Sequence, residues 1–130
     1  MIAVDTNILV RVITRDDKAQ AARAVALLEE QERIFLAKTV LLEVDWVLRN
    51  TYKFTRGEVL SALRSMVSVD NVEVEDGVAV EQAMDWYEHG MDFADGLHIA
   101  SAGPNPKFAS FDAALQRTAL RLGIAEVISP

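Results

Sequence analysis

Residues 107–129 read Lys107-Phe108-Ala109-Ser110-Phe111-Asp112-Ala113-Ala114-Leu115-Gln116-Arg117-Thr118-Ala119-Leu120-Arg121-Leu122-Gly123-Ile124-Ala125-Glu126-Val127-Ile128-Ser129. Lys107–Phe111 is a strand-length run that ends at Asp112. Ala113–Leu122 follows as a helix, with Gly123 just past its end. Ala125–Ser129 is a second strand. Strands separated by helices argue for parallel pairing, with helices covering the faces of the sheet.

The same alternation extends back to the amino terminus. Ile2–Asp5 is a short apolar run closed by an acid. Asp16–Arg33 reads as a helix with Ala21, Val25 and Leu28 on one face, and Ile34–Ala37 as the next strand. Thr39 can cap a helix through Leu48 or beyond. Thr55 and Glu58 form a capping-box pattern ahead of the stripe Val59, Leu60, Leu63, Met66 and Val67. Val72–Glu75 alternates like a strand. Asp76 can cap a helix with Val80, Ala83, Met84 and Tyr87 facing inward and Gly90 at its end. Asp92 can cap another through Ala102, and Gly103-Pro104-Asn105-Pro106 stops it. The expected fold is therefore one α/β domain over residues 1–130, a parallel sheet of about five strands with helices on both faces. In such folds the ligand crevice lies outside the carboxyl ends of the strands.

Composition narrows the chemistry. The chain has 130 residues, 51% of them apolar and 25% charged, with six Gly and three Pro. That excludes disorder, collagen-like repeats and low-complexity linkers. The absence of Cys excludes disulfides, zinc–thiolate sites, iron–sulfur clusters and thiol nucleophiles. No apolar run approaches the roughly 20 residues of a membrane span, and no signal peptide is visible, so a cytoplasmic location without membrane attachment is expected. Thirteen basic residues against 20 acidic ones give a net charge of −7, without the basic footprint of a bulk nucleic-acid binder. The surplus acids either keep the surface soluble or gather around a divalent cation.

Their placement bears on that choice. Asp5 and Asp112 each follow an apolar run, and parallel strands put both at one sheet edge. Each can also cap the helix that follows it, Asp5 less so because Thr6 and Asn7 are equally able caps. Glu43 has Thr39, Val40, Trp46 and Val47 as its helical neighbours, none of them positive, and is expected on a buried or half-buried stripe. Asp45, four residues before Arg49, is expected to be a solvated salt bridge on the opposite side. Asp92 can cap its helix, and Asp95 one turn inside is the preferred ligand of the two. If Asp5, Glu43, Asp95 and Asp112 converge, they cannot all stay ionised without added positive charge. Oxygen-only ligands without Cys suit Mg²⁺ or Mn²⁺, ions suited to phosphodiester hydrolysis.

Asp5-Thr6-Asn7-Ile8-Leu9-Val10-Arg11, Glu43 near a helix start, Asp92-Phe93-Ala94-Asp95 and Ser110-Phe111-Asp112 resemble the PIN-domain nucleases, more narrowly the VapC-type toxins of toxin–antitoxin pairs. The resemblance covers the whole chain in order and length. It implies a parallel-sheet sandwich, a Mg²⁺- or Mn²⁺-dependent endoribonuclease acting on RNA, a homodimer, and inhibition by a cognate antitoxin. The family's acidic quartet falls on Asp5, Glu43, Asp95 and Asp112, its polar residue beside the first acid on Thr6 or Asn7, and its hydroxyl before the last acid on Ser110. Asp92 also matches a position that is often acidic, with its share of the work open.

The remaining polar and aromatic residues carry less. His89 is expected to offset a helix dipole, and His98 to sit on a helix face or behind Asp95. Trp46, Trp86, Tyr87 and Phe93 are expected in the core or a dimer interface. Arg11 and Lys38 are the candidate phosphate guides, against a solvated-surface role for each. Two rival readings stand beside the nuclease. One is a phosphatase or phospho-acceptor domain using Asp5; the other is a non-catalytic protein-binding module.

Overall fold

A computed structural model describes residues 1–124 and 126–130. Ala125, which the sequence places in the last strand, lies outside the described residues. The chain divides into two compact units, Met1–Glu75 and Asp76–Pro130.

The first unit runs β1 (Ile2–Ala3), α1 (Thr6–Thr14), α2 (Lys18–Glu30), β2 (Ile34–Leu36), α3 (Lys38–Asn50), α4 (Arg56–Val67) and β3 (Val72–Val74). Its three strands pair in parallel in the order β1-β2-β3, with Ile2 beside Ile34 and Leu36 beside Val74. The parallel register aligns the strand carboxyl ends, so Asp5, Lys38 and Glu75 follow on one edge. Beneath the helices lie Leu36, Leu41, Val44, Leu48, Val59 and Leu63, all essentially without solvent contact.

The second unit runs α5 (Gly77–Glu88), α6 (Phe93–Ser101), β4 (Lys107–Ala109), α7 (Ala113–Leu122) and β5 (Glu126–Ile128). β4 and β5 pair in parallel, Phe108 beside Val127. Met91, Ile99, Leu115 and Ala119 form a core cluster onto which Trp86, Phe108, Leu122 and Val127 pack. Val80, Ala83, Met84 and Tyr87 all face inward on α5, as their spacing predicts. Tyr87 meets Phe93 edge to face with centroids 6.2 Å apart. Among the described residues the five strands pair in parallel as a group of three and a group of two, where the sequence suggests one sheet of about five.

Helix starts divide into those the local sequence specifies and those it does not. The Thr55 hydroxyl accepts from the Glu58 amide while the Glu58 carboxylate accepts from the Thr55 amide, the reciprocal box read from the sequence. Asp17, rather than a residue further upstream, caps α2 by accepting from Gln20 N–H, so the helix begins later than expected. Two expected caps are corrected. Thr39 lies inside α3, whose N-cap is Ala37; the first amide, Lys38 N–H, donates instead to the Glu75 carboxylate at 2.9 Å. Asp76 occupies the N-cap position of α5 in a left-handed conformation (φ 49°) and makes no side-chain capping bond.

Candidate active site

In the first unit, β1 ends at Ala3 and the chain turns directly into α1, so Asp5 falls at the helix N-terminus. Its carboxylate accepts from the Thr6 amide at 2.8 Å. Asp5 is therefore the N-cap, a role the sequence assigned as readily to Thr6 or Asn7. Thr6 is buried, while Asp5 and Asn7 are exposed. All three line a concavity of about 270 Å³ together with Arg11, Glu43 and Tyr52.

Glu43 reaches that concavity from α3, and it is exposed, not buried. The buried stripe of α3 is Leu41, Val44, Asp45 and Leu48, spaced i, i+3, i+4, i+7. Asp45, expected in solvent, is the acid on that stripe at 1% exposure. It is neutralised by a two-pronged ion pair from Arg49 at 2.8 and 2.9 Å. The spacing of the three aliphatic residues carries this signal, since Asp45 completes their stripe and Glu43 lies off it. A buried carboxylate must be neutralised; the one on this helix is Asp45 rather than Glu43, and Arg49 rather than a metal cation neutralises it.

Arg11 lies on the same concavity with its guanidinium already held. Nε donates to Gln20 at 2.7 Å, and Nη1 donates to the Tyr52 hydroxyl at 3.1 Å and to Asp16 at 3.3 Å. Tyr52 and Thr14 in turn donate to Asp16 at 2.7 and 3.0 Å. The Tyr52 hydroxyl chiefly, with Thr14 and Arg11, holds the Asp16 carboxyl below the usual carboxylate range. Lys38 is half-buried at the start of α3.

In the second unit Asp112 follows β4 and caps α7, its Oδ1 accepting from Ala114 N–H at 2.9 Å and Leu115 N–H at 3.1 Å. The Ser110 hydroxyl accepts from the Asp112 amide at 3.0 Å, and Gln116 donates to the Ser110 carbonyl at 2.7 Å. Asp92 caps α6, accepting from Asp95 N–H at 3.4 Å. Asp95, half-buried, is pushed above the usual carboxylate range by burial first, then by the charges of Asp92 and Asp112, with His98 opposing. The second unit thus brings Asp92, Asp95 and Asp112 within electrostatic reach of one another. Among the described residues no three His, Asp or Glu side chains form a ready-made cation cage.

The other expectations resolve individually. His89 closes α5 with Nδ1 2.8 Å from the Asp85 carbonyl oxygen, and His98 is exposed on α6. Tyr87 and Phe93 are buried and Trp86 packs on the core, but Trp46 is 58% exposed and no part of it. Phe111, placed at the end of the Lys107–Phe111 strand by the sequence, lies beyond β4 and is 82% exposed. Its signal was available: Phe108 and Phe111 are three residues apart, and an extended chain sends such positions to opposite faces.

Parallel strands followed at once by acids that cap the next helix mark an α/β protein with its chemistry at the strand carboxyl ends. The PIN domain matches residues 2–125, and the chain belongs to that family. PIN domains are generally metal-dependent nucleases. No curated protein matched the chain.

Proposed function

We propose that this chain is a Mg²⁺- or Mn²⁺-dependent endoribonuclease, a single PIN-like domain over residues 1–130 of the VapC type, acting in the cytoplasm. The carrying observation is the pair of strand-end acids, Asp5 and Asp112, each capping the next helix and each with a second carboxylate beside it, in a PIN-family chain. The residues we assign to metal are Asp5 and Glu43 in the first unit and Asp95 and Asp112 in the second. The donor set fits a hard divalent ion, being all oxygen, and the charge that burial first and then Asp92 and Asp112 resist on Asp95 is one that such an ion would relieve. A divalent ion supplies Lewis-acid polarisation of the phosphodiester.

The chain's own residues supply position. Capping leaves the second oxygen of Asp112 available while fixing the carboxylate in place, and Ser110 locks the amide beside it. The Thr6 amide fixes Asp5, Asn7 lines the same concavity, and Asp92 orients the first turn that carries Asp95. Arg11 presents a guanidinium pre-oriented by Gln20, Tyr52 and Asp16, and Lys38 adds a second cation; both serve as phosphate guides.

A homodimer and a cognate antitoxin are the protein partners we assign. A groove of about 600 Å³ in the first unit, lined by Leu9, Val12, Ile13, Val25, Leu28 and Met66, has the apolar character that an inhibitor helix would fill. The deciding test incubates purified protein with a panel of cellular RNAs, with Mg²⁺, Mn²⁺ or EDTA. Cleavage that EDTA stops, and that Asp5→Asn and Asp95→Asn lack, supports the assignment. Full activity in Asp5→Asn overturns it, and an aspartyl-phosphate trapped on Asp5 would point to phospho-transfer instead.

A further inference from the structure

We propose that Phe111 is a stacking platform for an unpaired base of single-stranded RNA whose backbone lies at Asp112. This deepens the nuclease reading and rests on it. Phe111 exposes 82% of its surface, and the core does not need it, because Phe108 fills the β4 position against Met91, Ile99, Leu115 and Ala119. Both flanking residues are pinned. Ser110 N–H donates to the Ile128 carbonyl at 3.0 Å, and Gln116 donates to the Ser110 carbonyl at 2.7 Å. Asp112 N–H donates to the Ser110 hydroxyl, and the Asp112 carboxylate accepts from two α7 amides. The backbone that bears the ring is thus fixed on both sides, directly beside a carboxylate assigned to the reaction.

Charge explains why a neutral contact is needed there. The chain carries −7 overall, and Asp92, Asp95 and Asp112 share one neighbourhood, so the side chains around Asp112 offer phosphate little attraction of their own. Stacking on an aromatic ring is indifferent to phosphate charge and tolerant of base identity. It also selects single strands, because a base inside a duplex has both faces already covered.

The test uses the full chain in an Asp95→Asn background, so that binding is read without turnover. Fluorescence anisotropy compares a mixed-sequence oligoribonucleotide with an abasic strand of equal length. The parent should prefer the base-bearing strand by about tenfold. Phe111→Ala should bind both strands alike, and Phe111→Trp should restore the preference. A 2-aminopurine in the strand should be quenched by the parent and not by Phe111→Ala. Because the ring is exposed, the thermal midpoint of Phe111→Ala should stay unchanged. The proposal is overturned if Phe111→Ala keeps the preference, if Phe111→Trp fails to restore it, or if Phe111→Ala alters only oligomeric state in light scattering. Wild-type protein that cleaves RNA while Phe111→Ala binds normally removes this inference alone. Wild-type protein with no metal-dependent cleavage removes the nuclease reading, and this inference with it.

Discussion

The two units treat their acids in opposite ways. In Met1–Glu75, Asp45 is buried against Arg49, and Asp16 is held by Tyr52, Thr14 and Arg11. Each is answered by a donor of the chain itself. In Asp76–Pro130, Asp95 is burdened first by burial and then by the charges of Asp92 and Asp112, with His98 opposing. Asp16 and Asp45 are thus answered by donors of the chain, whereas the surroundings of Asp95 resist its charge. Burial alone does not separate the two, since the most buried carboxylate, Asp45, belongs to the first class.

The largest effect should come from the acids we propose to hold the metal. Asp112→Asn or Asp95→Asn should lower Mg²⁺-dependent RNA cleavage by about a thousandfold, read as initial rates, because an amide offers weaker ligation and no negative charge. Far-ultraviolet circular dichroism should be unchanged. Asp45→Ala should do the reverse, preserving chemistry in the folded fraction while lowering stability by about 3 kcal/mol in urea titration, because it strands Arg49 without its buried partner. If Asp45→Ala abolished cleavage at full stability, the division between the two classes of acid would fail.

That division was only partly legible in the sequence, for a physical reason. Interactions closed within four residues could be read directly: the Thr55–Glu58 box, the Asp92 and Asp112 caps, and Gly123 in its left-handed turn (φ 65°). So could the inward stripe of α5. What failed depends on distant chain. The α3 amide that Thr39 was expected to serve is met by Glu75, 37 residues away. Arg11 and Tyr52 meet across 41 residues. The exchange of Glu43 and Asp45 is a different failure. The stripe of Leu41, Val44 and Leu48 was present, but the Asp45–Arg49 spacing reads as a solvated salt bridge, and a paired acid can lie on an apolar stripe.

Cation binding offers a finer probe of the second unit. The Asp95 carboxyl is raised in the folded chain, so its ionised form opposes folding above that value and the penalty disappears as pH falls through it. Millimolar Mg²⁺ at neutral pH should therefore raise the wild-type thermal midpoint, by about 1–2 kcal/mol of linked stability if its concentration is well above the dissociation constant. Asp95→Asn should respond less. Equal shifts in both proteins would place the ion away from Asp95.

The smallest effect lies on the acid side of the first unit. Asp16 has the opposite sign, its carboxyl being lowered in the folded chain by the Tyr52 hydroxyl above all. The stability it contributes is fully present above the unfolded carboxyl value near 3.8 and is lost as pH falls through the lower folded one. Tyr52→Phe removes the strongest of those donors while leaving Thr14 and Arg11 in place. Thermal melts from pH 6 down to pH 2 should show a shallower loss of stability in Tyr52→Phe than in wild type, with the two curves drawing together at the acid end. The same substitution frees one of the ties on Arg11, so RNA affinity should fall slightly if that guanidinium guides phosphate. A steeper acid limb in Tyr52→Phe would show that Asp16 is not the acid this network stabilises.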